Sequence, residues 1–109
     1  MAVELAVECY SYTARLPASE GYGMVTQIRR SSASVAANIA EGHGRETTGA
    51  FVQFLRTAQG SLKELETHLI IADRAGLPGR NAIDSLLAKA ERVGKMLRSM
   101  IRSLQQRAS

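Results

Sequence analysis

A single apolar stripe crosses the centre of the chain and constrains what the chain can fold into. Its residues are spaced by four and three positions in turn: Phe51, Leu55, Ala58, Leu62, Leu65, Leu69 and Ala72. That spacing places all of them on one face of a helix, as in the core seam of a helical bundle or coiled coil. A helix over residues 47–75 is about 44 Å long. Because such a helix buries its apolar face against other helices, the stripe predicts an all-α protein.

Three glycine-containing breaks divide the chain into helical segments. They lie at residues 16–21, 41–45 and 76–80, and two of them also contain a proline. The remaining segments have helical periodicity and predict helices up to about residue 16 and over residues 19–40, 47–75 and 82–106. Gly76 is a suitable C-terminal cap for the third helix, and Asn81 with Asp84 resembles a capping box before the fourth. Since short connections make successive helices antiparallel, we predict an up-down-up-down four-helix bundle that forms one domain over residues 1–109.

The first predicted helix is apolar on more sides than a four-helix bundle can cover. Val3, Val7 and Tyr10 require a partner beyond the internal core, and Ile70 and Ile71 widen the apolar face of the third helix. Soluble monomers seldom leave such large apolar patches exposed. We therefore expect a homo-oligomer.

Gly60 and Ser61 place small side chains in the middle of the longest predicted helix. A glycine inside a helix costs about 1 kcal/mol relative to alanine, so its presence needs a packing reason. The second predicted helix also carries small side chains, among them Ser31, Ser34 and Ala37. These residues predict a close approach of two helices, either within the bundle or between subunits.

The composition is that of a globular protein without a membrane span. Hydrophobic residues make up 45% of the chain and charged residues 22%, and no apolar run is long enough to cross a bilayer. The single cysteine, Cys9, excludes an internal disulfide framework and lies among apolar residues, as a core residue does. We expect a protein of the reducing cytoplasm.

Positive charge is concentrated at the C-terminal end. The chain carries 14 Lys and Arg against 10 Asp and Glu, and residues 88–109 contain six basic residues and one acid, Glu91. Most of these basic residues recur every three or four positions: Lys89, Arg92, Lys95, Arg98 and Arg102. With a rise of about 4.5 to 6 Å between them, they predict a stripe along one side of the fourth helix that contacts a nucleic-acid backbone. The alternative is an ordinary solvated helix face.

Three further arginines, Arg29, Arg30 and Arg45, lie in and just after the second predicted helix. The paired donors of a guanidinium group suit phosphate, so one interpretation is a phosphate-binding cluster near the second break. The alternative is a structural ion-pair network, which the number of nearby acids favours. Those acids are Glu41, Glu46, Glu64 and Glu66.

Enzyme chemistry has little support in the sequence. No nucleophile elbow occurs, and the spacing of Glu64 and His68 is one residue longer than the Glu-x-x-His of a di-iron bundle. Zinc binding by His43, His68 and Cys9 requires a coincidence of tertiary structure. Residues 42–45 carry two glycines, as an anion nest does, but lack a complete phosphate-loop pattern and favour a turn. We therefore expect no catalytic site, no bound metal and no cofactor.

Three motifs connect the chain to a known family. They are Gln27-Ile28-Arg29-Arg30; Asn38-Ile39-Ala40-Glu41-Gly42 followed by Gly44-Arg45; and Gly60-Ser61-Leu62-Lys63-Glu64-Leu65-Glu66-Thr67. In order and spacing they resemble the bacterial four-helix-bundle family encoded in intervening sequences of 23S ribosomal RNA genes. The resemblance covers roughly residues 10–77, and the last helix matches only in pattern. Where family members often carry proline this chain has Ala36, so the kink that proline causes is expected to be absent.

The resemblance implies partners as well as a fold. The family is similar to the accessory variability protein of diversity-generating retroelements, which forms a basic, ring-shaped homopentamer that binds nucleic acid and a reverse transcriptase. By resemblance we expect a non-catalytic homopentamer that binds RNA or DNA through the backbone. The alternative is a structural or adaptor bundle that binds an acidic or reverse-transcriptase-like protein partner.

Overall fold

The computed structural model describes residues 1–20 and 23–108, and four α-helices account for most of them. The helices are α1 (Ala2–Thr13), α2 (Met24–His43), α3 (Thr48–Arg74) and α4 (Arg80–Ala108), with a short 3₁₀ turn (Ala18–Glu20) between α1 and α2. Successive helices pack side by side and α4 also contacts α1, which closes a bundle of 49 × 21 × 18 Å. The described residues contain no β-strand. The predicted all-α, antiparallel four-helix bundle is confirmed.

The core is built on the apolar stripes of α3 and α4. Leu55, Leu65 and Leu69 of α3 are fully buried, whereas Phe51 at the start of the stripe is half-buried. Burial of each such leucine contributes about 1.5–3 kcal/mol of hydrophobic free energy, which turns the two stripes toward each other. The buried residues of α4 recur at three- and four-residue spacing: Ile83, Leu86, Ala90, Val93, Leu97 and Ile101.

The ends of α1 and α2 differ from the sequence prediction. α1 ends at Thr13 rather than near residue 16, because the amides of residues 15 and 16 donate to the carbonyls of Tyr12 and Thr13 in tighter 3₁₀-type turns. Pro17 then disfavours helical geometry at residue 16. α2 begins at Met24 instead of residue 19, and the predicted helical residues 21 and 22 lie outside the described residues. At its other end α2 continues through Ala36 to His43, past its predicted end at residue 40.

The connection between α3 and α4 contains one cap that was predicted correctly and one that was not. Gly76 has a φ of +84° and closes α3 as predicted. The amide of Leu77 donates to the carbonyl of Ala72 over 3.0 Å, which is the pattern of a Schellman motif. The cap predicted at Asn81 is wrong, because α4 already begins at Arg80 and Asn81 lies within its first turn.

A contact with α1 fixes this connection. The Tyr12 hydroxyl donates to the carbonyl of Pro78 over 3.0 Å. Gly79 has a φ of +91°, and a Cβ at this position would lie 2.9 Å from Cε1 of Tyr12. Because other side chains tolerate neither the φ nor the close approach, glycine is required where α4 begins beside the Tyr12 ring.

Gly42 and Gly60 have opposite surroundings. A Cβ on Gly42 would lie 2.8 Å from Cδ1 of Phe51, so the missing side chain lets the start of α3 pack against the end of α2. A Cβ on Gly60 would meet no atom within 4 Å, so the close packing predicted for Gly60 within the bundle is wrong, and a role between subunits stays a prediction. Ser61 makes the close approach instead, with its Oγ 2.7 Å from Oγ of Ser34.

We expect Gly42→Ala and Gly60→Ala to change stability in opposite directions. The methyl group of Gly42→Ala must displace the Phe51 ring and should lower the free energy of unfolding by about 1–3 kcal/mol. The methyl group of Gly60→Ala meets open space and should raise the free energy of unfolding by about 1 kcal/mol through helix propensity. Urea unfolding followed by circular dichroism measures both changes. Equal effects of the two substitutions would contradict the packing described at Gly42.

Candidate nucleic-acid interface

The basic residues predicted on the fourth helix lie on α4, but they do not follow one side of it. Positions three residues apart on an α-helix are rotated by about 60° relative to each other. The series therefore crosses the outer face of α4 obliquely, from Lys89, which contacts α1, to Arg98, which lines a groove with Leu62 and Lys63 of α3. The prediction of a stripe along one side of the helix is wrong in this respect.

Four of these residues form an exposed surface that we call the α4 basic surface: Arg92, Lys95, Arg98 and Arg102. Nζ of Lys95 lies 3.7 Å from Oε1 of Glu91, and an exposed pair of this kind contributes little to stability. With respect to the described residues, the three arginines of the surface have no ion-pair partner. Lys89 differs, because its Nζ donates to Oε1 of Glu8 on α1 and its charge is neutralised within the bundle.

Arg29 connects α2 to α1. Its Nε donates to Oγ1 of Thr13 over 2.8 Å, and its Cζ lies 4.8 Å from the centroid of the Tyr10 ring. The Thr13 hydroxyl in turn donates to the carbonyl of Cys9 over 2.9 Å. Arg29 is half-buried in this position, so its guanidinium group serves the contact between the two helices.

Arg30 and Arg45 form ion pairs with two of the acids that the ion-pair interpretation of the sequence named. Nη2 of Arg30 lies 3.7 Å from Oε1 of Glu64 on α3. Nη2 of Arg45 donates to Oε2 of Glu41 over 2.6 Å, and its guanidinium lies over the Phe54 ring, 4.9 Å from the centroid. Both pairs are partly exposed, so each adds little net stability.

The three arginines do not form the predicted phosphate-binding cluster. Arg29 and Arg30 lie in the first half of α2. Arg45 lies just beyond the last residue of α2, about 20 Å from Arg29 and Arg30 along the helix axis. Gly42 and His43 belong to the last turn of α2, and the chain turns at Gly44, whose φ is −86°. The predicted turn therefore begins two residues later than expected, and residues 42–45 form no anion nest. The ion-pair interpretation also named Glu46 and Glu66. Among the described residues, neither of these two acids forms an ion pair with any of the three arginines.

The residues considered for metal binding take part in other contacts. Nε2 of His68 lies 3.7 Å from Oε1 of Glu64 on the same helix. Within residues 1–20 and 23–108, no group of three or more His, Cys, Asp or Glu side chains is placed to hold a metal ion. Cys9 is a buried core residue, as predicted, and burial raises the pKa of its thiol to about 11. Such a thiol is almost entirely protonated at neutral pH, which makes it a poor nucleophile.

An apolar surface on α1 points away from the bundle. Val3, Val7 and Tyr10 follow each other at four- and three-residue spacing and are 63%, 58% and 44% exposed; we call them the α1 apolar face. On α3, Ile70 and Ile71 are 40% and 46% exposed. The prediction that these side chains lie outside the core is confirmed.

No helix in the described part of the chain is long and apolar enough to cross a membrane.

A groove at one end of the bundle was missed by the sequence reasoning. It has a volume of about 330 Å³ and lies between the end of α2, the start of α3 and the last turns of α4; we call it the end groove. The four-residue spacing of Ser99, Ser103 and Arg107 signals that they share a face of α4, but only the bundle brings that face to α2 and α3. The groove is lined by His43, Phe51, Ser99, Met100, Ser103, Leu104 and Arg107.

Comparison with known proteins agrees with the sequence motifs. A model of the 23S rRNA-intervening sequence protein family matches residues 1–99, so the similarity extends beyond residue 77 into α4. No curated protein matches the chain. The fold is similar to the crystal structure of a protein of unknown function from Bacteroides thetaiotaomicron, of the S23 ribosomal protein family. The two chains are 26% identical, with a TM-score of 0.82 over 92% of this chain and 94% of that chain.

We expect Arg29→Lys to destabilise the protein more than Arg30→Lys. A lysine at position 29 loses the Nε hydrogen bond to Thr13 and the planar contact with Tyr10, which should cost about 1–2 kcal/mol of unfolding free energy. Arg30→Lys changes only an exposed ion pair with Glu64 and an exposed hydrogen bond to Gln27, and it should cost less than about 0.5 kcal/mol. Chemical denaturation of the two variants measures the difference. A larger loss for Arg30→Lys would contradict the role assigned to Arg29.

Proposed function

The chain belongs to the 23S rRNA-intervening sequence protein family, and we propose that it is a non-catalytic homo-oligomer that binds nucleic acid through the α4 basic surface. The observation that carries the proposal is the exposure of Arg92, Arg98 and Arg102 without an acidic partner among the described residues. A cluster of unpaired cations along the outer surface of one helix is the electrostatic form of a polyanion-binding surface.

The helix below the α4 basic surface holds the charges in place. Val93, Leu97 and Ile101 alternate with the charged residues and are buried in the core. The arginine and lysine side chains therefore extend from a helix with a fixed orientation, and each can neutralise one phosphate and release one counterion. Contacts of this kind read the sugar-phosphate backbone, so the expected binding has little sequence specificity.

The α1 apolar face supports the oligomeric part of the proposal. Val3, Val7 and Tyr10 leave apolar surface in water that a second subunit would bury. Ile70 and Ile71 form a separate apolar surface on α3, which packs between α2 and α4 rather than beside α1. Two separate surfaces allow each subunit to contact two neighbours, as a ring requires, and the family resemblance implies five subunits. A ring would repeat the α4 basic surface and so strengthen weak contacts through avidity.

The non-catalytic and cytoplasmic parts of the proposal rest on how the reactive side chains are used. Cys9 is a free thiol buried in the core, which suits a reducing compartment, and its raised pKa opposes nucleophilic chemistry. His68 faces Glu64 of its own helix. We therefore assign the protein a binding role in the cytoplasm.

Reversing charge on the α4 basic surface should abolish most binding. We expect Arg92→Glu/Lys95→Glu/Arg98→Glu to weaken binding of random-sequence RNA and DNA by about 100-fold or more at low salt, because three phosphate contacts become repulsive. The control Arg15→Glu/Arg56→Glu/Arg74→Glu makes the same change in net charge at exposed arginines elsewhere and should retain most of the affinity. Fluorescence anisotropy measures binding, and circular dichroism checks that the helicity of both variants is unchanged.

Two results would contradict the proposal. Equal losses in both triple variants would show that net charge alone governs binding. No binding by the unmodified protein at low salt would favour the alternative, in which the basic surface binds an acidic protein partner.

The oligomeric state should depend on the α1 apolar face. Light scattering coupled to size exclusion should report several times the 11.8 kDa mass of one chain. We expect Val7→Lys to reduce the mass toward that of one chain, because it places a charge in the buried contact, while Ser11→Lys at an exposed neighbouring position of α1 leaves assembly intact. A monomeric mass for the unmodified protein at micromolar concentration would contradict the proposed assembly.

A further inference from the structure

The end groove lies where the last turns of α4 face α2 and α3. Glu8 of α1 pairs with Lys89, and Met1 lines a groove together with Arg92. α1 runs antiparallel to α4, and Met1 and Glu8 lie beside Arg92 and Lys89 in the first half of α4. The face of α4 that carries Ser99, Ser103 and Arg107 borders the end of α2 and the start of α3.

One wall of the end groove is aromatic. The imidazole of His43 is exposed and packs against Phe51, with ring centroids 4.7 Å apart and a tilt of 56°. Met100 and Leu104 of α4 are half-buried and supply apolar surface opposite the rings. Because the two rings are inclined to each other, they do not form one flat surface. The exposed imidazole of His43 is available to a planar ring, since histidine is a side chain on which bases stack.

The other wall is polar and positively charged. Ser99, Ser103 and Arg107 follow each other at four-residue spacing, with a rise of about 6 Å between neighbours. With respect to the described residues, none of the three side chains has a hydrogen-bond partner, unlike the hydroxyl of Thr57, which donates to the carbonyl of Gln53 over 3.1 Å. The lining includes no carboxylate, so an anionic group meets Arg107 without a competing acid.

We propose that the end groove binds one unpaired base of a single-stranded nucleic acid, with the base against His43 and Phe51 and the adjoining phosphate at Arg107. This inference rests on the proposed function, since Arg102 of the α4 basic surface directly precedes Ser103 of the groove. A volume of about 330 Å³ lies at the lower end of the range of small-ligand sites, which suits one base and its sugar. Duplex nucleic acid keeps its bases stacked inside and cannot use the groove.

The test compares strands with and without bases. The ligands are a twelve-nucleotide oligodeoxyuridylate, an abasic deoxyribose-phosphate strand of equal length, and the matching oligouridylate. We expect the unmodified protein to bind the oligodeoxyuridylate about tenfold more tightly than the abasic strand, since stacking of one base has an effect of this size. A difference between the oligouridylate and the oligodeoxyuridylate identifies RNA or DNA as the preferred source of the base.

Substitutions assign the effect to the groove. We expect His43→Ala to remove the preference for the base-containing strand and to leave abasic binding unchanged, whereas His43→Phe keeps the preference through stacking. Arg107→Gln should weaken both strands more than Arg74→Gln, a matched loss of charge at the far end of α3. Melting curves verify that each variant is folded. In the same samples, the affinity for the abasic strand measures binding by the α4 basic surface.

The outcomes separate this inference from the function on which it rests. Equal affinity of the unmodified protein for the two deoxyribose strands overturns the base-binding groove and leaves backbone binding by the α4 basic surface standing. A preference that survives His43→Ala also overturns it, because the base is then held elsewhere. Binding of none of the strands overturns both the proposed function and the groove.

Discussion

Burial of the apolar stripe of α3 is the constraint on which the rest of the structure depends. Leu55, Leu65 and Leu69 lose contact with water only if α2 and α4 pack along both sides of α3. α4 must then turn Val93 and Leu97 inward. The same rotation places Arg92, Lys95, Arg98 and Arg102 in solvent. The location of the α4 basic surface is therefore a consequence of core packing.

Contacts of α1 with its neighbours determine how the two outer surfaces are arranged. The hydrogen bond from Lys89 to Glu8 and the contact of Arg29 with Thr13 attach α1 to α4 and α2. With its inner side so engaged, α1 exposes Val3 and Val7 on the outer side. The charge of Lys89 is neutralised in this contact, so Lys89 adds no free cation to the α4 basic surface. α1 packs beside the first half of α4, and the end groove lies at the last turns of α4, between α2 and α3.

The fold follows from the sequence more directly than the sites do. Helical spacing predicted α3 and α4, and Gly76 marked the end of α3, because these features depend on local geometry. The start of α4 was predicted wrongly since Asn81 resembles a cap, whereas the contacts of Tyr12 with Pro78 and Gly79 determine where the helix begins. The oblique course of the basic residues and the assembly of the end groove from three helices depend on packing. The spacing of charges along the sequence therefore identified the basic residues of α4, but not the residues of other helices that lie beside them in the bundle.

The salt dependence of nucleic-acid binding tests the central claim most directly. If the α4 basic surface contacts phosphates, the logarithm of the association constant for random-sequence duplex DNA should fall linearly with the logarithm of salt concentration. The four side chains of one subunit predict a slope of about −3 to −4, and an assembly that engages several subunits predicts a steeper one. A slope near zero, or no binding at low salt, would contradict the account of this surface as a nucleic-acid interface.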